Sequence, residues 1–320
     1  ITMTDNLMTY EPAIRLAAFA SVFTVMALWE VVAPRRKHII GRAQRWPGNI
    51  GIVVLDTFLV RILFPTTAVG LALLTEAKGF GLFNVWPVAG WIAVIASIVI
   101  LDMVIYLQHV LFHAVPALWR LHRMHHADLD FDATTGLRFH PVEILISMGI
   151  KLAVVAALGP PAVAVLLFEV ILNATALFNH ANIDLPRPID RVLRLFVVTP
   201  DMHRVHHSVI ERETDSNYGF NLPWWDRLFG TYRGQPVMGH EKMIVGLDRF
   251  RDPKMLRLHW LLAIPFLRTP PESSIGKSRF QGPVQRPGKG RSRHPLRFMS
   301  GEAGDGRVRS ESSGRVLPGS

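Results

Sequence analysis

The sequence predicts an all-α, multi-pass membrane protein in which about four to five membrane segments carry a histidine-rich helical cap. Of the 320 residues, 49% are hydrophobic and only 19% are charged, whereas a typical soluble domain has about 25% charged residues. The apolar residues form blocks close to the roughly 20 residues that a helix needs to cross the hydrocarbon layer. Histidines grouped behind these blocks predict the cap.

Three regions are expected along the chain: N-terminal membrane helices in residues 1–100, a histidine-bearing membrane domain in 101–268, and a disordered basic tail in 269–320. The net charge of +10 is concentrated in this tail, where residues 272–320 hold ten Lys or Arg against four Asp or Glu. Because the rest of the chain is apolar, nucleic-acid binding is not expected. The chain has no cysteine, which excludes disulfides, thiolate metal sites and a cysteine nucleophile.

The first predicted span covers residues 13–32, and Glu30 near its end is expected to reach the headgroups. Five basic residues follow between positions 35 and 45. By the positive-inside rule they place this end of the span in the cytoplasm and the N-terminus outside. Residues 50–74 form either one span or an interfacial helix followed by a shorter span.

Residues 86–107 form the clearest later span. Residues 144–158 and 162–178 are expected to form a hairpin that enters and leaves on one side, because Gly159-Pro160-Pro161 breaks the helix between them. Residues 256–267 are apolar but too short to cross a membrane, so an interfacial position is expected. All the clustered histidines then lie on the cytoplasmic side.

The histidines behind the spans have helical spacing. They form one H-x-x-x-H and two H-x-x-H-H patterns, made of His109 and His113, of His122, His125 and His126, and of His203, His206 and His207. Residues three or four apart on a helix share a face, so each pattern directs imidazoles towards one place. Eight convergent imidazoles exceed the three or four that one zinc or iron ion binds, which predicts more than one metal ion.

The third cluster follows Thr199 and Pro200, which predict an N-cap and a proline in the first helical position. Its histidines should therefore occupy the first two turns of a helix. Zinc-dependent hydrolysis lacks its H-E-x-x-H motif here. A histidine-lined transporter should hold its ligands near the middle of the spans, whereas these clusters follow the spans. The isolated His38, His240 and His259, like His294, are expected to be ordinary structural or surface residues.

These clusters, together with the segments TGLRFHPVE, LFNHANI, TPDMHRVHHS, NYGFNLPWWD and LFGTY, resemble the fatty acid hydroxylase or sterol desaturase superfamily. The resemblance covers residues 102–232. It implies an integral membrane di-iron oxygenase that uses O2 to hydroxylate or desaturate a C–H bond of a lipid, such as a sterol or a fatty acyl chain. The alternative is a membrane metal-binding or transport protein without catalytic activity.

The resemblance also implies roles for individual residues. The implied ligands of two iron ions are His109, His113, His122, His125, His126, His140, His180, His203, His206 and His207. Asp102 and Asp132 are candidate catalytic residues that would orient imidazoles by accepting their free N–H, or else they are ordinary buried acids.

No cysteine cluster and no H-P-G-G haem motif occurs in the sequence. The resemblance therefore implies an external electron donor, either a ferredoxin or a cytochrome b5 with its reductase. It also implies a membrane lipid as substrate. A bacterial inner membrane is favoured over the endoplasmic reticulum, with the histidine clusters facing the cytoplasm.

Overall fold

The structure is a computed structural model that describes residues 3–268, so the predicted basic tail lies outside the described residues. Within them the fold is helical, and only two isolated β-bridges occur. The helices are α1 (Met3–Val32), α2 (Arg42–Leu63), α3 (Ala68–Lys78), α4 (Leu82–Val85), α5 (Gly90–Ala114), α6 (Pro116–His126), α7 (Pro141–Leu158), α8 (Ala162–Asn179), α9 (Arg187–Leu193), α10 (Pro200–His206), α11 (Glu211–Thr214), α12 (Trp224–Leu228), α13 (Gly239–Lys242) and α14 (Leu258–Ala263). Three short 3-10 turns cover Ala133–Leu137, Pro253–Leu256 and Ile264–Phe266.

Five segments are long and apolar enough to cross a membrane, which confirms the predicted all-α multi-pass fold. They are Thr9–Val32, Arg42–Val85, Gly90–Ala114, Pro141–Leu158 and Ala162–Asn179. The protein is thus a multi-pass integral membrane protein. The segment from Arg42 to Val85 holds more than one helix, because α2 ends at Leu63 and α3 begins at Ala68. Pro65 stands in the break, and the Thr67 side chain caps α3 by accepting the Gly70 N–H at 3.0 Å.

The span predicted for residues 86–107 continues to Ala114 as α5. No helix breaker occurs between residue 107 and Pro116, so the helix carries His109 and His113 on its last two turns. The predicted break at residues 159–161 separates α7 from α8, with Gly159 in the left-handed conformation at φ +57°.

The membrane core is built around α8. Its buried Val165 and Phe168 pack in one cluster with Leu101 of α5, Val155 of α7 and Ala72 of α3. The three helices α3, α5 and α7 thereby pack against α8, whose last residue Asn179 is followed by His180. This packing fixes the height of His180 relative to the histidines at the end of α5.

The sequence predicts that Glu30 reaches the headgroups, but in the structure its side chain is buried inside the protein. It is 3% exposed, and its Oε1 accepts the backbone N–H groups of Ala133 at 2.8 Å and Asn182 at 2.9 Å. The other oxygen pairs with Arg42 at 2.8 Å. The carboxylate therefore fastens α1 to two loops of the cap instead of facing lipid.

The apolar stretch at residues 256–267 packs into the cap, in contrast to the predicted interfacial position. Leu261 and Ile264 are fully buried against Ile52 of α2 and Met124 of α6. Arg123 also donates to the Ile264 carbonyl at 2.6 Å. The burial of these side chains stabilises α6, which bears three histidines.

Candidate metal centre

Nine histidines meet in two adjoining groups, which we name site A and site B. Site A contains His109, His113, His122, His126 and His206, and site B contains His125, His180, His203 and His207. Within each group, one ring nitrogen of every histidine lies within 4.8 Å of those of the others. The stacked rings of His126 and His207, with centroids 4.6 Å apart, connect the two sites.

Each H-x-x-H-H pattern contributes to both sites. On α6, His122 and His126 are four residues apart and face site A, while His125 faces site B. At α10 the assignment is reversed, because His203 and His207 face site B and His206 faces site A. Residues four apart on a helix share a face, whereas adjacent residues such as His125 and His126 point about 100° apart. Two short helices can therefore supply two neighbouring sites.

Thr199 begins the second of these helices in the predicted position, with Pro200 in the first turn. The sequence predicts that the Thr199 hydroxyl caps the helix backbone. In the structure the hydroxyl instead donates to Asp190 Oδ1 at 2.6 Å. His203 and His206 lie within α10, and His207 follows directly at its C-terminal end.

The Nδ1 atoms of six histidines are engaged with oxygen acceptors. Four contact backbone carbonyls: His109 with Tyr218 at 2.8 Å, His125 with Arg138 at 3.2 Å, His180 with Ala176 at 2.8 Å and His206 with Ser216 at 2.8 Å. Two contact carboxylates: His113 with Asp215 at 3.1 Å and His122 with Glu143 at 2.6 Å. A carbonyl oxygen only accepts, so the proton of the neutral ring lies on Nδ1 and Nε2 keeps its lone pair.

These lone pairs point at one another. The Nε2 atoms of His109 and His122 are 3.1 Å apart in site A, and those of His125 and His180 are 3.3 Å apart in site B. With both Nδ1 atoms of each pair protonated, neither Nε2 has a proton to donate to the other. A buried cation would remove this repulsion. The arrangement therefore fits a metal ion in each site.

Unpartnered buried nitrogens support the same conclusion. His206 Nε2 in site A and both ring nitrogens of His207 in site B are buried without a hydrogen-bond partner. A buried polar atom without a partner costs free energy, and coordination would use these lone pairs. The Nδ1 atom of His203 is also in this state. Such nitrogens, beside the facing pairs, match the donor set that zinc, copper and iron accept from imidazole.

Burial also keeps these imidazoles neutral. It lowers the pKa of His122 to about 3 and that of His180 to about 3. The pKa of His125 falls well below its usual value, first through burial and then through the neighbouring imidazoles. The same causes act on His126 and His207. A neutral imidazole is the form that binds a metal.

Three acceptors for site A come from one loop, residues 215–219, which we name the acceptor loop. Asp215 Oδ1, Ser216 O and Tyr218 O receive the Nδ1–H groups described above. Asn217 holds the loop in a left-handed turn at φ +54°, and its amide donates to the Met202 carbonyl at 2.8 Å. Asp226 accepts the N–H groups of Tyr218 and Gly219 at 2.8 and 2.9 Å. This loop thus fixes the orientation of three ligand rings.

Two aromatic rings lie between the sites and the membrane core. Phe139 stacks on the His125 ring with centroids 4.5 Å apart and an interplanar angle of 10°. Phe220 lies 5.8 Å from His109 and 6.2 Å from His203. Both phenylalanines belong to or pack against the core cluster formed by α3, α5, α7 and α8. The apolar interior of the bundle therefore reaches the histidines directly.

Comparison with known proteins gives the family. Residues 94–231 match the family model described as fatty acid hydroxylase, and this range contains every histidine of both sites. Within this range the predicted resemblance to the fatty acid hydroxylase and sterol desaturase superfamily is confirmed. No solved structure matches the chain significantly.

Curated proteins similar to this chain are named as hydroxylases and monooxygenases. The chain is 33% identical to ornithine lipid hydroxylase OlsE of Rhizobium tropici over 47% of its own length and 44% of that protein. Identity to human alkylglycerol monooxygenase is 30%, over 59% of this chain and 42% of that protein. It is 29% to the cholesterol 25-hydroxylase-like protein of Danio rerio, over 71% and 95% respectively. The chain thus spans less than half the length of the first two.

The structure brings together nine of the ten predicted ligands, but not His140. That residue lies outside both sites. It occupies the N-cap of α7, where its Nδ1 accepts the Val142 N–H at 3.2 Å, and its ring faces Phe266 with centroids 6.0 Å apart. In this position His140 starts a helix and is not directed towards the other imidazoles.

Asp102 and Asp132 hold neighbouring loops and contact no site imidazole, which agrees with the expected alternative of ordinary buried acids and not with a role in orienting imidazoles. Asp102 Oδ2 accepts the Trp225 indole N–H at 2.7 Å, and Asp132 Oδ2 accepts from Arg45 at 2.6 Å. The contacts expected of these acids are made instead by Glu143 and Asp215. Glu143 stands in the R-F-H-P-V-E segment that carries the resemblance, and a carboxyl group at the start of an apolar span is itself a signal for a buried partner.

Replacing Glu143 by Gln should lower metal affinity by about 10- to 100-fold, the range typical of hydrogen-bond partners of metal ligands. The amide keeps the shape but is a weaker partner than a carboxyl group for His122 Nδ1. A chelator competition on the solubilised protein measures the change. The exposed Glu76, replaced by Gln, is the control. Equal affinities for the two variants would contradict this role.

Proposed function

We propose that this chain is a membrane-bound di-iron monooxygenase that hydroxylates a C–H bond of a membrane lipid. The observation that carries the proposal is the pair of adjoining all-histidine sites, which border the apolar core of the bundle through Phe139 and Phe220. The names of the relatives support it, because they are hydroxylases and monooxygenases of lipids.

The proposed reaction inserts one oxygen atom of O2 into a C–H bond and reduces the other to water. It consumes two electrons and two protons. Desaturation would consume the same electrons and protons, remove two hydrogen atoms and release two waters. The hydroxylase and monooxygenase names of the relatives favour hydroxylation.

The nine histidines of sites A and B would hold the two iron ions. Iron bound there would supply the redox chemistry that activates O2, which redox-inert zinc does not provide. The protein contributes fixed neutral imidazoles, because six Nδ1 atoms are held by oxygen acceptors. It also excludes water, since eight of the nine histidines are at most 4% exposed.

The substrate is proposed to enter from the membrane side. Phe139 and Phe220 offer an apolar surface beneath the imidazoles, and this surface continues into the core around α8. A lipid chain can lie against such a surface without loss of hydration, whereas a polar metabolite cannot. Electrons would come from a separate protein, a ferredoxin or a cytochrome b5 with its reductase, because the chain carries no cysteine for an iron–sulfur cluster.

Lipid mass spectrometry of cells that express the wild-type chain or its His206→Ala variant tests this function. The expected result is a lipid species that gains the mass of one oxygen atom in wild-type cells only. A species that instead loses two hydrogen atoms would identify a desaturase. Identical lipids in both cells, with metal bound to the wild-type protein, would favour the metal-binding or transport alternative.

We propose further that both sites face the cytoplasm, in a bacterial inner membrane. Arg35 and Arg36 belong to the basic segment expected in the cytoplasm. Arg35 Nε pairs with Asp201 at 3.2 Å, two residues before His203, and Arg36 Nη1 donates to the Met243 carbonyl at 3.0 Å. The basic segment and the histidine sites thus share one side of the bundle.

The absence of cysteine makes this orientation easy to test. In intact cells, single cysteines at Lys37 and Gln235 should be protected from an impermeant thiol reagent, and one at Lys78 should be labelled. All three positions are exposed on the protein. Labelling at Lys37 from outside would overturn the proposed orientation.

A further inference from the structure

A large apolar surface lies outside the five spans, on α9, α12 and the residues that follow them. We name it the platform. Its side chains are 45% to 69% exposed and consist of Ile189, Val192, Leu195, Phe196, Trp224, Leu228 and Phe229. Contiguous exposed apolar patches of this kind are rare on water-facing surfaces and mark a binding face.

Hydrogen bonds join the two helices into one surface. The Trp224 indole N–H donates to the Leu195 carbonyl at 2.7 Å, and the Arg227 guanidinium donates to the Arg194 carbonyl. Arg194 in turn donates to the Gly234 carbonyl at 2.7 Å. These bonds fix the position of α9 relative to α12, so their apolar side chains present a common face.

The contacts of α12 with α5 give the depth of the platform. The Trp225 indole donates to Asp102 at 2.7 Å, and Asp102 precedes the site A ligand His109 by seven residues, or about 10 Å along the helix. One turn further on, Tyr106 stacks on Phe229 with ring centroids 5.5 Å apart. The platform segment therefore lies beside α5 on the membrane side of the histidines.

Helix α8 gives the same depth independently. Thr175 donates to the side chain of Asn221, three residues before Trp224. Thr175 precedes the site B ligand His180 by five residues, or about 7 to 8 Å along the helix. Two spans thus place the platform at the boundary between acyl chains and headgroups, where interfacial helices lie about 5 to 10 Å deep.

The charges around the platform suit a lipid surface. Arg187 and Arg191 are exposed on α9, whereas the acid between them, Asp190, is paired with Arg194 at 2.7 Å. The Arg227 guanidinium lies over the Tyr232 ring, 4.7 Å from its centroid. An arginine rim beside tryptophan and phenylalanine is the composition of segments that lie in the interface of an anionic membrane.

We infer that the platform inserts into the lipid leaflet on the side of the metal centre, with Arg187 and Arg191 at the headgroup phosphates of anionic lipids. It is a second membrane contact, separate from the five spans. This insertion requires only that α5 and α8 cross the membrane. It goes beyond the proposed oxygenase activity and can be tested in protein that holds no iron.

The cysteine-free chain allows a direct depth measurement. Single cysteines at Phe196 and Leu228 are labelled with an environment-sensitive nitrobenzoxadiazole dye. The full chain is then placed in nanodiscs of phosphatidylcholine and phosphatidylglycerol, with or without spin-labelled lipid. A cysteine at Arg212 serves as control, because α11 precedes Asp215, the partner of His113 at the water-facing end of α5.

The expected result is blue-shifted emission and several-fold stronger quenching by spin-labelled lipid at positions 196 and 228 than at 212. Replacing both Arg187 and Arg191 by Gln should reduce this quenching in nanodiscs that contain phosphatidylglycerol. Equal, weak quenching at all three positions would overturn the inference. So would blue-shifted emission without quenching that disappears when the protein is diluted to monomers, because a second copy would then cover the platform.

Discussion

Replacing His206 by Ala should remove the metal ion from site A and leave site B occupied, whereas replacing His207 by Ala should do the reverse. The two residues are adjacent in sequence, yet their rings belong to different sites. Both have an Nε2 atom without a hydrogen-bond partner. Activity should fall by at least about 100-fold in each variant, because loss of a ligand exceeds the effect of losing its hydrogen-bond partner.

Elemental analysis counts the bound ions, and Mössbauer spectra of protein loaded with enriched iron show which signal each variant keeps. Wild type should bind two ions per chain, and each variant about one. The exposed His259, replaced by Ala, should behave as wild type. The same remaining signal in both variants, in protein with unchanged helical circular dichroism, would contradict the division into two sites.

Replacing Arg45 by Met should destabilise the protein by about 3 to 5 kcal/mol, because it leaves buried charges without their partner. Arg45 is fully buried. Its guanidinium donates to Asp128 at 2.8 Å and to Asp132 at 2.6 Å. Asp132 also caps the 3-10 turn Ala133–Leu137. The variant should therefore loosen the segment between the histidines of α6 and the start of α7.

Thermal unfolding of the detergent-solubilised protein measures this effect. Replacing Lys254 by Met is the matched control, since its pair with Asp252 is about half exposed and such pairs contribute roughly 0 to 1 kcal/mol. A similar shift in melting temperature for both variants would show that the buried network around Arg45 carries no special stability.

The effect of Arg45 should depend on pH in a defined direction. Burial alone would raise the pKa of the Asp128 carboxyl, but the Arg45 and Arg138 guanidinium groups lower it well below its usual range. A carboxyl whose pKa is depressed in the folded state stabilises the protein above its unfolded pKa of about 3.9. This contribution is lost as the pH falls below that value, so the difference between wild type and the Met variant should shrink in acid.

The sequence predicts the membrane fold and most of the histidine centre because both have a local periodic signal. Apolar blocks mark the spans, and spacings of three and four mark the ligand faces of α6 and α10. The division of each H-x-x-H-H pattern between two sites follows from the same spacing once a partner helix is present. His125 is an example, because its ring belongs to site B together with His180 and His203, which come from other parts of the chain.

Other features have no local signal. The carbonyls of Tyr218 and Ser216 orient two ligands, but every residue has a carbonyl, so no residue type marks this role. Glu30 is buried because its carboxylate accepts the N–H groups of Ala133 and Asn182, and these donors lie more than a hundred residues away in sequence. His140 lies in the same histidine-rich part of the sequence as the ligands, and only the structure shows that its Nδ1 accepts the Val142 N–H at the start of α7.

Oxygen-isotope labelling tests the central claim of an O2-dependent lipid hydroxylase most directly. The purified, iron-loaded protein is supplied with an electron donor and membrane lipid extract under labelled O2 in unlabelled water. The hydroxylated lipid should contain one labelled oxygen atom, and none of this lipid should form with the His206→Ala and His207→Ala variants. Product that contains oxygen from water, or that forms without O2, would contradict it.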